Sequence, residues 1–327
     1  MKKKVLITGG AGYVGSFLAD ELIKKNYHVN VLDLFLYGSD VFESNKINLI
    51  KGDIRNINLL KKIIPGNDII IHLACISNDP SFELNPILGK SINLEAFEPI
   101  IKISKDNGIK KFIYASSSSV YGVKKEHNVF ENMKLEPLTD YSKFKAICEE
   151  ICLKYRSKDF ETIILRPATV CGFSRRQRFD LVVNIFTNLG FNKRQLTVFG
   201  GNQLRPNIHI KDMVQSYITS IENNDLGKVN NPIFNVGYEN YSTLSLAEKV
   251  KNNIGSDLKI EIQKTNDDRS YHINSEKFSK VTKFAYKHTI DDAIKDLKRA
   301  FEHKQFQEPL SNKIYFNIKM MNSVRLK

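Results

Sequence analysis

The chain of 327 residues contains no tryptophan, nine prolines and four cysteines. Four cysteines in a chain of this length are far from a disulfide-rich composition, and Cys75, Cys148, Cys152 and Cys171 show no zinc spacing with partner cysteines or histidines. Cys148 and Cys152 would share a helix face, and free thiols in a reducing compartment are the simplest account. The seven histidines are scattered without a His-x-x-x-His pair, so no metal is expected. No apolar stretch approaches a membrane span. The run Val5–Ile7 after the opening lysines stops at Thr8 and Gly9, too early for a secretory signal, so a cytoplasmic protein is expected. Acidic residues are also in short supply, 36 against 49 lysines and arginines, for a net charge of +13. Solvated lysines account for most of such an excess, and charge alone bears on solubility and non-specific binding. A nucleic-acid module would need a fold signature and an organised basic face. No such signature is present, so no nucleic-acid partner is expected. Hydrophobic residues, at 42%, suffice for a sizeable core.

Short β-branched runs alternate with helical patterns through the first half. "KKVLITGG", "HVNVLDL", "NLIKGDI", "DIIIHLA", "KFIYASSS" and "ETIILRPATV" read as strands. "SFLADELIKK", "NINLLKKII", the stretch from Asn93 to about Lys105, and "YSKFKAICEEICLKYRS" read as helices. Alternation of this kind implies crossover connections, and strands as apolar as Ile69–Ile71 imply a sheet covered on both faces. The expected fold is α/β, a doubly wound parallel sheet of Rossmann type with a second, smaller α/β domain. The first domain is expected over residues 1–172, with a return segment at about 207–236 in which "RPNIHI" re-enters the sheet. Residues 173–206 and 237–302 would form the discontinuous smaller domain, with helices near Ser245–Asn253 and Ile290–Phe301 and a strand at "LKIEIQ". Residues 303–327 read as a basic, peripheral tail.

"TGGAGYVG" follows the first strand and opens a helix. Gly9, Gly12 and Gly15 allow a tight turn, close backbone approach to a pyrophosphate, and close helix-to-strand packing. The helix start, with Tyr13 and Val14, adds N–H groups and a partial positive charge for phosphate. Asp33, ending the second strand, is placed to accept hydrogen bonds from an adenosine ribose and to repel a 2′-phosphate. No arginine adjoins it in sequence, which favours NAD over NADP. Asp53 and Ile54 follow the third strand, where an adenine edge could be gripped.

"KFIYASSSSVYG" would end a central strand at the ligand edge of the sheet. Tyr141 and Lys145, in "YSKFK", are four residues apart and share a helix face. The phenol is a candidate acid/base for a substrate hydroxyl. Its ordinary pKa is about 10, and acting near neutrality requires a fall of roughly three units, or about 4 kcal/mol. A nearby ammonium and an oxidised nicotinamide have the right sign to supply it.

"TGGAGYVG", "GDI", "HLA", Asn93, "SSSSVYG", "YSKFK" and "LRPATVCG", taken in order, resemble the extended short-chain dehydrogenase/reductase family of NAD-dependent nucleotide-sugar epimerases and dehydratases. The resemblance extends to about residue 300. It implies Ser117 as the serine that hydrogen-bonds the reacting sugar hydroxyl, beside Ser118. It implies Tyr141 as acid/base and Lys145 as the residue that binds the nicotinamide ribose and lowers the tyrosine pKa. Leu73, Ala74 and Asn93 would join the cofactor cradle. A homodimer built on the Tyr-x-x-x-Lys helix is also implied. The family's 4,6-dehydratases carry an Asp-Glu pair directly after the catalytic hydroxyl residue. Ser118 and Ser119 stand there instead, and serines of ordinary pKa cannot replace two carboxyls.

In the second half, "SRRQRFDLVVN" and "NDDRSYHINSEKF" are similar to a subgroup that includes a bacterial GDP-heptose 4-dehydrogenase of surface-polysaccharide synthesis. "GGNQLRPNIHIKD" resembles the family's phosphate-binding segment. Arg205 and Arg269 are the expected diphosphate ligands, because guanidinium binds phosphate oxygens as a fork. Asn184 is expected near the same group. Of Arg175, Arg176 and Arg178, one is expected to reach the substrate. Asn207 stands where many relatives have a larger apolar residue. The resemblance implies oxidation at C4 of a nucleotide sugar, and leaves open 4-epimerase, 4-dehydrogenase and 4-ketoreductase. A non-catalytic NAD sensor on the same fold is the reading from another class.

Overall fold

In the computed structural model, residues 2–126, 128–265, 270 and 272–324 are described. The strands are β1 (Lys4–Thr8), β2 (His28–Asp33), β3 (Asn48–Lys51), β4 (Ile69–His72), β5 (Lys111–Ala115), β6 (Glu161–Pro167), β7 (Thr169–Cys171), β8 (Gln195–Phe199), β9 (Leu204–His209), β10 (Ile233–Val236), β11 (Glu239–Ser242) and β12 (Lys259–Gln263). Seven of them form one parallel sheet in the order β10-β6-β5-β4-β1-β2-β3. This is the Rossmann order with one strand added beyond β6.

Side chains of β1 alternate between two cores, as strand geometry requires. Val5 and Ile7 pack with Leu18 and Leu22 of the helix Tyr13–Lys24 and with Met213 and Tyr217 of the helix Ile210–Glu222. Leu6 faces the other way, into a core with Ile100 and Ile101 of Phe97–Asp106 and Cys148 and Cys152 of Asp140–Tyr155. Both faces are therefore covered, and ligands have access only beyond the carboxyl ends of the strands. The order reverses between β1 and β4, which opens a crevice there.

A smaller α/β unit has its own core. Val183 and Phe186, Leu246 and Val250, and Ala293 and Ile294 come from the helices Val182–Lys193, Thr243–Ile254 and Ile290–Glu302. They pack against the parallel pair β8–β12. The helix Val182–Lys193 escapes the sequence reading for a physical reason. Asn184, Thr187 and Asn188 are buried on it, so its inward face is not apolar.

Two expectations are corrected. "RPNIHI" does not re-enter the large sheet. As β9 it joins a separate sheet between β11 and β7, and the place beside β6 goes to β10, all four residues of which are buried. Nor is the stretch after His303 peripheral over its described residues, 304–324. Tyr315, Asn317 and Met320 are buried. Tyr315 packs with Phe179, Leu297 and Phe301, and Phe306 and Phe316 join the cluster. An aromatic cluster of this size anchors a segment that its lysines disguise as solvent-facing.

Candidate active site

The crevice is a cavity of about 390 Å³ at the carboxyl ends of β1, β2, β4, β5 and β6. One wall is backbone. Gly9 has φ +71°, and a Cβ there would lie 2.6 Å from the backbone of Ala74. A Cβ on Gly15 would lie 2.7 Å from Gly10, so helix and turn touch without side chains between them. Gly12 begins the helix Tyr13–Lys24 without a side-chain cap, which leaves the first N–H groups for a ligand. Val14, Leu73 and Ala74 complete this wall. Tyr13 also lines it, but its buried hydroxyl is engaged by protein, donating to the Gly172 carbonyl at 2.6 Å.

Asp33 faces the same wall and accepts from the N–H groups of Ala11 and Phe35, each at 2.9 Å. Burial raises its carboxyl above the usual range, while these N–H groups and Arg176 pull in the other direction. Arg176, distant in sequence, is thus brought near the one acid that sequence placed at the ribose. Asp53 and Ile54 line the cavity too. Burial alone would raise the Asp53 carboxyl, but the Arg55 guanidinium, 2.6 Å away, holds it below the usual range. The glycine cradle and the ribose carboxylate fit a dinucleotide.

Asn93 does not reach the cavity. Its amide brackets Ile76, accepting from the backbone N–H at 2.8 Å and donating to the carbonyl at 2.9 Å. It shapes the loop after β4 from behind.

Ser117, Ser118, Tyr141 and Lys145 all line the cavity. Thr139 starts the helix Asp140–Tyr155 with a capping box to Ser142, which orients the first turn and with it Tyr141. The Lys145 Nζ is 5.8 Å from the Tyr141 ring centre and donates to the Ala115 carbonyl at 2.6 Å. The Ser117 Oγ pairs with the Ser119 Oγ at 2.8 Å and accepts from the Ser119 N–H at 3.1 Å. Behind the serines, one turn beyond Lys145, lies the buried Glu149. It holds Arg166 at 2.6 and 2.9 Å and accepts from the Ser116 hydroxyl. Glu149 and Arg166 went unread, although Tyr141, Lys145 and Glu149 form a stripe at four-residue spacing.

The far wall departs from expectation. Arg176 and Arg178 line the cavity, and Arg175 is half-exposed beside Glu43. Arg178 pairs with Asp180 at 2.9 Å and donates to the Ser77 hydroxyl at 3.1 Å. The Arg176 guanidinium lies over the Tyr37 ring at 3.6 Å. Burial lowers its pKa to about 10. Neither Asn184 nor Arg205 is brought to the cavity wall. Asn184 is fully buried, accepts from Gly172 N–H, and donates to the Tyr13 hydroxyl and the Arg178 carbonyl. It shapes the loop that carries the arginines. Arg205 sits on β9 opposite Tyr241 of β11 and donates to the Leu204 carbonyl. Arg269 lies outside the described residues. Among the described residues, no group of three or more His, Cys, Asp or Glu is placed to hold a metal, and no helix is long and apolar enough to cross a membrane.

A Rossmann sheet, a glycine cradle and a Tyr–Lys pair facing it across one cavity define an α/β oxidoreductase of the dinucleotide-dependent class. The NAD dependent epimerase/dehydratase family model matches residues 5–237, so the chain belongs to that family, and its cofactor is NAD. The chain is 27% identical over 314 residues to a UDP-glucose 4-epimerase of Lactobacillus helveticus, covering 89% of this chain and 94% of the relative. It is 30% identical over 257 residues to a putative UDP-glucose 4-epimerase of Methanocaldococcus jannaschii, covering 77% and 82%. Among solved structures, it resembles a UDP-N-acetylglucosamine 4-epimerase from Methanobrevibacter ruminantium M1 in complex with UDP-N-acetylmuramic acid. There the TM-score is 0.84 at 24% identity, over 93% of this chain and 100% of the other. A UDP-glucuronic acid 4-epimerase from Bacillus cereus, in complex with UDP-glucuronic acid and NAD, gives 0.82 at 24%, over 92% and 99%.

Proposed function

We propose that the protein oxidises, and then reduces from the other face, C4 of a nucleotide-diphosphate sugar, acting as a 4-epimerase. The carrying observation is that Ser117, Tyr141 and Lys145 line the same cavity as the glycine cradle. Bound NAD would supply the hydride acceptor. Ser117 orients the C4 hydroxyl, and its own oxygen is held by Ser119. Tyr141 takes the hydroxyl proton as general base and returns it in the reverse step. Lys145, fixed by the Ala115 carbonyl, attracts the phenolate that forms. Ser118 and Ser119 offer no carboxyl pair for removing water across C5 and C6. Named relatives that act on UDP sugars support the nucleotide-sugar class.

A 4-dehydrogenase or 4-ketoreductase without epimerisation uses the same three residues and is the second reading. The likeness of "SRRQRFDLVVN" and "NDDRSYHINSEKF" to a dehydrogenase-containing subgroup favours it, and supports a role in surface-polysaccharide precursor synthesis. Residues 173–206 and 237–302 would carry the substrate, and the reaction would take place in the cytoplasm. A homodimer is proposed through the helix Asp140–Tyr155, which exposes Ile147 and Leu153. The test is a panel of UDP, GDP and dTDP sugars, with products read by mass and NMR and NADH by absorbance. Epimer without NADH supports the first reading, whereas stoichiometric NADH, or NADH consumed with a 4-keto sugar added to the panel, supports the second as dehydrogenase or ketoreductase respectively. No conversion of any sugar in the panel would overturn both.

A further inference from the structure

The far wall of the cavity is tied together by one residue near the end of the chain. Asn317 starts the helix Asn317–Ser323 and is 5% exposed. Its backbone N–H donates to Asp180 at 2.9 Å. Its amide oxygen accepts from Arg176 at 2.7 Å and from the Tyr37 hydroxyl at 3.0 Å. Its amide nitrogen donates to the Ser77 hydroxyl at 3.0 Å, and that same hydroxyl accepts from Arg178. Three separate loops, carrying Tyr37, Ser77 and the arginines, thus meet on one side chain. The amide serves this junction because it accepts at its oxygen and donates at its nitrogen.

The arginines are not saturated by this arrangement. Arg176 Nε and Arg178 Nη2 are buried without a hydrogen-bond partner, and both residues line the cavity beside Asn317. A buried guanidinium N–H without an acceptor is costly, and a phosphate oxygen would satisfy it through a charge-assisted bond. Tail and wall are joined independently through the Phe179 N–H, which donates to the Tyr315 carbonyl at 2.9 Å.

We propose that Asn317 is a positioning residue that holds Arg176 and Arg178 in register for a diphosphate ligand, so that the last helix belongs to the binding site. The proposal rests on the reading of the cavity as a site for NAD and a nucleotide sugar. Both ligands carry a diphosphate, and the test separates them.

The decisive variant is Asn317→Asp. It keeps the shape and the acceptor for Arg176, so the fold is retained. It loses the donor to Ser77, and its charge pairs with the guanidinium meant for phosphate. Expected is a thermal midpoint equal to or above that of the wild type, with at least tenfold weaker binding of one diphosphate probe. NADH is titrated by fluorescence, and UDP and GDP by calorimetry. Loss confined to NADH assigns the arginines to the cofactor, and loss confined to UDP or GDP assigns them to the substrate. Equal loss of all probes together with a lowered midpoint indicates a merely structural residue and overturns the proposal. Removing residues 317–327, which spares the aromatic cluster, should reproduce the binding loss. If wild type binds and Asn317→Asp binds as tightly, the proposal fails while the functional reading stands. If wild type binds neither NADH nor UDP or GDP, both fail.

Discussion

The two walls of the cavity are built on different principles. The cofactor wall is backbone: a turn at Gly9–Gly15, a helix start and the loop at Leu73–Ala74, with all but that loop contributed by adjacent residues. The opposite wall is side chain: Arg176 and Arg178 held by Asp180, Ser77, Tyr37 and Asn317, which span most of the chain. A backbone site needs only residues that permit close approach, and these form a compact motif. A side-chain site needs buried partners, which any distant segment can supply. Tyr141 stands between the walls, and altering each in turn tests whether they work separately.

The largest effect is expected at the seam. Tyr141→Phe should lower turnover by a hundredfold or more while NADH titration stays close to wild type, since a positioned acid/base contributes roughly 10²–10⁴. Near-normal turnover would remove Tyr141 from the mechanism.

On the backbone wall, Gly9→Ala meets both a positive φ and the Ala74 backbone. The left-handed conformation alone costs about 1–2 kcal/mol, so NADH affinity should fall tenfold or more. Unchanged affinity would show that the turn does not approach the cofactor.

On the side-chain wall, Arg178→Ala should weaken about tenfold the binding of the same diphosphate ligand that Asn317→Asp weakens, because a hydrogen bond to a charged group is worth roughly 1.5–3 kcal/mol. Arg205→Ala should weaken it less, since Arg205 stands off the cavity. The reverse ranking would return the phosphate contact to β9. Arg178→Lys should recover only part of the loss, as an ammonium keeps the charge without the fork.

The smallest effect concerns pH. Burial raises the Asp33 carboxyl, so it takes up a proton above the usual carboxylate range as pH falls. A protonated acid is a weaker acceptor for ribose hydroxyls, and NADH affinity should therefore decline on mild acidification. Asp33→Asn should bind more weakly at neutral pH and show a flatter profile. A wild-type protein that prefers NADPH would contradict the role given to Asp33.

The amino-acid sequence by itself determined the parallel sheet, the glycine turn, Asp33 at the end of β2 and the Tyr141–Lys145 pair. Each depends on local periodicity or on residues within one turn of a helix, and each is found lining the cavity or building the layer beneath it. Tertiary structure alone decided the rest. It turned Asn93 and Asn184 away from the cavity, because buried backbone groups needed their amides. It sent β9 to another sheet and Arg205 with it, and filled the strand position beside β6 from residues about thirty further on. It buried Glu149 against Arg166, and it brought Asn317 from the end of the chain to Arg176. Such pairings join charged or polar residues across long separations, and they arise from the cost of burying an unpartnered group, which leaves no periodic trace in a sequence.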